Sequence, residues 1–306
     1  MARSFDGVHV ATTTPFHPDS LEVDLDGYRA HCAWLLDEGI TGLFPNGSLG
    51  EYEALSPAER RQVWQVAVEV VRDAGRGMVV SGLSGPSARA ICELAEQAKA
   101  DGVDGAMVLP PTNHPSTVDE LVAHYAAIAE VGLPVIAYNN PFSTRTDLTP
   151  DILARLGAID GVVGVKEFSG DVRRISEIIE LAPHLEVLCG SDDLALESAL
   201  MGATGWIGGF TGTWPAGTIQ VFEAGRDGQV GDVLDLYRTM LPALRWDSGP
   251  RFVQAIKLSI DLVGDGTGGG PSRPPRLPLH ETDADQVERS VATIQGAIQA
   301  RSPERR

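Results

Sequence analysis

Lysine stands at only three positions, Lys99, Lys166 and Lys257, against 21 arginines. A bias toward arginine codons accounts for the scarcity, and each remaining lysine is then worth inspecting for chemistry that a guanidinium cannot perform. An amine can shed its proton and attack a carbonyl carbon; a guanidinium cannot. Lys166 ends the run Gly161-Val162-Val163-Gly164-Val165 and lies two residues before Phe168. Loss of hydration in such surroundings favours a neutral amine. That form condenses with a 2-oxo acid to give a Schiff base, whose protonated imine acts as an electron sink. Lys99 reads as a solvated residue near a helix end, and Lys257 as a structural residue inside a helix.

Two other groups suit the same chemistry. Tyr138 ends the apolar run that starts at Val135, and a phenol beside an imine can shuttle protons between substrate and solvent. Gly47-Ser48-Leu49-Gly50 is rich enough in glycine for closely spaced N–H groups to form an anion nest, with a carboxylate as guest. Asn46-Gly47-Ser48 also spells a glycosylation acceptor, which we set aside because no secretion signal is read in the sequence.

These groups need elements to hold them together. Short β-rich segments alternate with amphipathic helical ones: Gly7–Thr13, Thr41–Phe44, Met78–Ser81, Gly105–Leu109, Val135–Tyr138, Val162–Lys166, Glu186–Gly190 and Gly205–Gly208. Several are near-continuous apolar runs, the pattern of parallel strands buried on both faces. Ser56-Pro57-Ala58-Glu59 spells a capping box, and Thr117-Val118-Asp119-Glu120 repeats its Thr-x-x-Glu part,. The strand ends lie 18 to 37 residues apart, near the roughly 30 residues of a βαβ unit. Eight such units without a break predict an α/β fold, a closed (β/α)8 TIM barrel, over residues 1–214. Helical patterns alone follow, at Ala216–Ala224, Gly231–Ala243, Phe252–Val263 and Ala284–Ala300. Residues 215–300 therefore read as C-terminal helices packed on the barrel, and 301–306 as a frayed tail. The glycine run Gly264–Gly270 reads as a flexible connection.

Composition narrows the partners. The net charge is −18, which argues against nucleic acid or an anionic membrane as a partner. No apolar run reaches the roughly 18 residues of a membrane span. The start lacks a signal-peptide pattern, and Cys32, Cys92 and Cys189 are far apart without CxxC spacing, so a cytoplasmic protein without a disulfide framework or zinc site is expected. The seven histidines form no H-x-H or H-x-x-x-H pair, so no metal site is read.

In a barrel of this kind the site lies at the C-terminal ends of the strands. The polar residues there are Thr12–Thr14, Asn46–Glu51, Pro110–Asn113, Tyr138–Asn140, Lys166-Glu167 and Ser191–Asp193. Thr112, Asn113, Asn140, Arg145, Ser169, Gly208 and Gly209 are expected to contact the distal half of the substrate.

Three motifs, Gly47-Ser48-Leu49-Gly50-Glu51-Tyr52, Tyr138-Asn139-Asn140-Pro141 and Val165-Lys166-Glu167-Phe168-Ser169-Gly170-Asp171, give the chain its kinship. In their order and placement it resembles the dihydrodipicolinate synthase / N-acetylneuraminate lyase family of pyruvate-type class I aldolases. The resemblance implies Lys166 as the Schiff-base lysine, Tyr138 as the proton relay, Gly47 and Ser48 as holders of the substrate carboxylate, and Ile207 lining the site through its backbone carbonyl. It also implies a homotetramer, a dimer of dimers, and no metal or organic cofactor. Where the lysine-biosynthetic synthase has two adjacent threonines, this chain has Ser48 and Leu49; Thr112 stands where the synthase has a tyrosine reaching a neighbouring subunit. Lys166-Glu167-Phe168 and Trp246-Asp247-Ser248-Gly249-Pro250 resemble the pyrroline-4-hydroxy-2-carboxylate deaminase branch. The substrate is thus a small 2-oxo or cyclic 2-imino acid, with that deaminase as the leading expectation. The alternatives are 4-hydroxy-tetrahydrodipicolinate synthase and a 2-keto-3-deoxy sugar acid aldolase. A reading from another class is a non-catalytic barrel that binds a 2-oxo acid.

Overall fold

A computed structural model describes residues 4–112, 115–264 and 267–301. The predicted frayed tail therefore lies, but for Arg301, outside the described residues, as does Asn113. Eight parallel strands occupy the segments read from the sequence: β1 (Gly7–Ala11), β2 (Gly42–Phe44), β3 (Val80–Leu83), β4 (Gly105–Val108), β5 (Val135–Asn139), β6 (Val162–Glu167), β7 (Glu186–Cys189) and β8 (Gly205–Gly208). Ladders run β2-β1-β8-β7-β6-β5-β4-β3. The circle closes where Leu43 bridges Val79; there Leu43 N donates to Met78 O at 2.9 Å and Gly82 N to Pro45 O at 2.8 Å. The result is a (β/α)8 barrel.

Two apolar layers hold it. Val8, Val10, Val79, Val108, Val135, Val165 and Val187 face outward and pack under the helices. Phe44, Val80, Met107, Ile136, Tyr138, Leu188 and Ile207 fill the interior. The alternation follows from the period of two along a strand, with both faces covered. Both Ser56 and Thr117 form complete capping boxes, each accepting from the N–H three residues on while the glutamate there returns to the cap.

β3 departs from the sequence reading by two residues. Met78 and Val79 serve the closure with β2, and the ladder with β4 starts at Val80↔Gly105. Gly82, one residue beyond the strand as read, lies inside it, at a position that only glycine fits, since a Cβ there would come within 2.3 Å of Asn46 O.

After β8 come helices at Pro215–Arg226, Leu234–Leu244, Phe252–Val263 and Glu281–Arg301. The last packs on the two before it, with Val287, Val291 and Ile294 buried. The described part of the glycine run is anchored rather than a free connection. Gly268 O accepts from Thr13 Oγ1, and Gly270 N–H donates to both Asp261 oxygens. Among the described residues no helix is long and apolar enough to cross a membrane.

Candidate active site

The sheet register sets the first pair. Tyr138 on β5 lies directly beside Lys166 on β6, and Lys166 beside Leu188 on β7. Lys166 is 5 % exposed and Tyr138 6 %, and the lysine Nζ sits 4.5 Å from the centroid of the Tyr138 ring. Gly190 is needed next to them, since a Cβ there would come within 3.0 Å of Lys166 Cε and 2.9 Å of Glu167 O. Asn140 Nδ2 donates to Tyr138 Oη at 3.1 Å, which leaves the phenolic hydrogen free for another acceptor. Glu167 alternates to the outer side. Its carboxylate accepts from Asn139 Nδ2 at 2.9 Å and Ser169 N at 2.6 Å, and burial raises its pKa despite those donors.

The loop after β2 is held from several directions. Asn46 and Glu51 take left-handed backbone angles, φ 60° and 54°, and the loop lies between them. Gly50 O accepts from Thr14 Oγ1 at 2.8 Å. The Glu51 carboxylate is buried against Lys257 Nζ at 2.7 Å and accepts from Arg273 N at 3.1 Å. Burial pulls the Lys257 pKa down and Glu51 pushes it back up. Lys257 thus has the structural place read from the sequence: it ties the Phe252–Val263 helix to the glycine loop. The N–H groups of Ser48 and Leu49 find no acceptor among the described residues, an arrangement suited to an anion.

Lys166, Tyr138, Gly47, Ser48, Leu49, Asn140 and Ile207 line one cavity of about 350 Å³. Four other residues expected at the substrate lie off its lining. Thr112 borders a separate cavity of about 600 Å³ with Tyr52 and Arg60. Arg145 is exposed and closes the single turn Pro141–Thr144 with φ 57°. Ser169 is drawn outward with its N–H on Glu167, and its hydroxyl accepts from Asp171 N at 3.3 Å. Gly208 backs onto Asp192, whose Oδ1 would be 2.3 Å from a Cβ there, while Gly209 reaches the cavity.

The cavity also takes residues that the reading of strand ends did not single out as contacts, among them Met107, Phe142, Phe168, Asp247 and Phe252. Phe142 and Phe168 meet edge to face at 6.3 Å between centroids. Asp247 comes from the turn Arg245–Ser248, beyond the barrel strands, so the strand-end rule does not find it. Its only signal was the Trp246–Pro250 segment.

Residues 4–294 match the Dihydrodipicolinate synthetase family. The chain belongs to that family. Among curated relatives, the 4-hydroxy-tetrahydrodipicolinate synthase of Methanospirillum hungatei is 34 % identical over 291 residues, covering 93 % of this chain and 97 % of that protein. A DapA-like lyase of Rhizobium meliloti is 32 % identical over 288 residues, 92 % of this chain and 93 % of that one. Of solved structures, YagE, a prophage protein of the dihydrodipicolinic acid synthase family from E. coli K12 in complex with pyruvate, superposes with a TM-score of 0.88 at 29 % identity. It covers 96 % of this chain and 99 % of its own. The family placement made from three motifs is therefore upheld, and the fold with it.

Proposed function

We propose that the chain is a Schiff-base-forming lyase of a small 2-oxo acid. The observation that carries this is Lys166, enclosed at the end of β6 beside Tyr138 in a cavity whose other wall is the Gly47–Leu49 loop. Lys166 Nζ attacks C2 of the acid, water leaves, and the iminium draws the C3 proton off to give an enamine. Tyr138, steadied by Asn140, relays that proton. The loop N–H groups and Ser48 hold the carboxylate.

Two partners for the enamine are supported by different observations. Relatives named 4-hydroxy-tetrahydrodipicolinate synthase and a solved neighbour in complex with pyruvate favour condensation of pyruvate with an aldehyde, first of all aspartate semialdehyde. The Asp247–Pro250 segment on the cavity wall favours the deaminase reading, attack on a cyclic imino acid with loss of its 4-hydroxyl and of ammonia. Counting the relatives, condensation now stands ahead of deamination. Purified protein is assayed with pyruvate plus aspartate semialdehyde, with pyrroline-4-hydroxy-2-carboxylate, and with 2-keto-3-deoxy sugar acids. Aldol turnover without ammonia release supports condensation, and ammonia from the imino acid alone reverses the order. Thermal stabilisation by pyruvate with no turnover on any of them makes the barrel a binder. The same reading carries a homotetramer, tested by light scattering as four chain masses.

A further inference from the structure

The cavity holds an acidic group that the Schiff-base chemistry above leaves unused. Around the barrel, Tyr138 on β5 flanks Lys166 on one side; β7 and β8 flank it on the other. On that second side two carboxyl groups meet the glycine pair that ends β8. Asp192, fully buried, accepts from Trp206 Nε1 at 2.9 Å, Gly209 N at 3.1 Å and Phe210 N at 2.8 Å. Asp247 lies on the cavity wall with Lys166, and its Oδ1 is 3.5 Å from where a Gly209 Cβ would stand. Three N–H donors favour a charged carboxylate, so Asp192 is the member of the pair suited to keep its charge. The second carboxyl group, facing that charge, is the one suited to keep a proton.

We propose that Asp247 is a further catalytic residue, the acid that gives its proton to the oxygen of the carbon joined to the enamine. The proposal rests on the lyase reading above. In condensation the enamine π pair forms the new C–C bond, the aldehyde C=O π pair moves onto its oxygen, and that oxygen takes the Asp247 proton. The products of the step are a hydroxyl group, the Asp247 carboxylate and the regenerated iminium on Lys166; hydrolysis of the iminium frees the amine, and solvent returns the proton to Asp247. In cleavage the carboxylate takes the hydroxyl proton and the pair of the breaking C–C bond enters the iminium. The site therefore acts on acceptors that carry a carbonyl oxygen, and the helical extension supplies part of the chemistry.

The electrostatics agree. Burial first, and then the Asp192 charge, raise Asp247 well above the usual carboxylate range; Lys166 and the Asp192 backbone N–H pull it down, and Asp193 pushes it up again. Arg245 of the same turn acts on Asp193.

The test compares wild type with Asp247→Asn, each incubated with pyruvate and borohydride and each assayed with pyruvate plus aspartate semialdehyde, glyceraldehyde or glycolaldehyde. The expected result is a Lys166 adduct in both proteins, with aldol kcat about 10²-fold or more lower in the variant, the scale of a lost general acid. Wild-type kcat falls as pH rises through the titration of the carboxyl pair, and the variant lacks that limb. An Asp247→Asn protein within about threefold of wild type, or one that keeps the alkaline limb, overturns the proposal; so does a wild type that forms the adduct but turns over none of the three aldehydes. Absence of any wild-type adduct overturns the lyase reading instead.

Discussion

Lys166 and Tyr138 sit opposite each other on neighbouring strands, so their separation is set by the ladder and not by a loop. Tyr138→Phe keeps the ring under Nζ and removes only the hydroxyl proposed as the proton relay. It is predicted to lower kcat by roughly 10²–10⁴-fold while the lysine still forms an imine; steady-state kinetics decide, and a loss under threefold removes Tyr138 from the mechanism. These two residues and the Gly47–Leu49 loop were legible because they end strands or follow them directly. Asp247 was not, because it reaches the cavity from a turn far along the chain. Thr112 and Arg145 lie off the lining of that cavity, for the converse reason: position after a strand fixes where a residue starts, not which way its loop turns it.

At the level of elements, the glycine loop is held by a buried ion pair whose partners are 206 residues apart. Lys257 Nζ also lies 4.4 Å from the Phe16 ring centroid. Lys257→Met leaves the Glu51 charge buried without its lysine, a change that costs about 3–5 kcal/mol. The double variant Glu51→Gln with Lys257→Met is predicted to recover much of that in urea melts, and equal losses in the two would contradict the pair. β1 brings its own test. His9, buried with Nε2 2.7 Å from Phe5 O, has its pKa lowered by burial to about 4 from 6.5. Between those values the unfolded chain binds a proton that the folded chain refuses. Stability from this group is therefore complete above pH 6.5 and is lost as pH falls toward 4, by roughly 3 kcal/mol in all. Asp192, raised by burial, acts in the opposite sense, so the measurement is the difference between wild type and His9→Gln across pH 4.5–7. A difference that stays constant with pH contradicts the assignment. The sequence carried the order of these elements, since apolar runs and capping boxes are local signals. It did not carry the shift of β3, which comes from closing the circle against β2.

The whole molecule is a barrel whose last helices do more than cover a flank. The Phe252–Val263 helix supplies Lys257 to the glycine loop, and the turn before it supplies Asp247 to the cavity. The Glu281–Arg301 helix packs on that helix through side chains such as the fully buried Ile294. Ile294→Ala is predicted to cost about 2–5 kcal/mol, read by denaturant unfolding; a cost below about 0.5 kcal/mol would mean that the helix is not docked in solution. The helical periodicity after β8 was visible in the sequence, whereas its reach into the active cavity depends on packing between distant segments. All of this serves one amine at the mouth of β6. Incubation with pyruvate and borohydride, followed by intact mass and peptide mapping, tests it most directly. The account predicts one reduced pyruvate per chain, on Lys166, and none in Lys166→Arg; an unmodified wild type, or an adduct on Lys99 or Lys257, would contradict it.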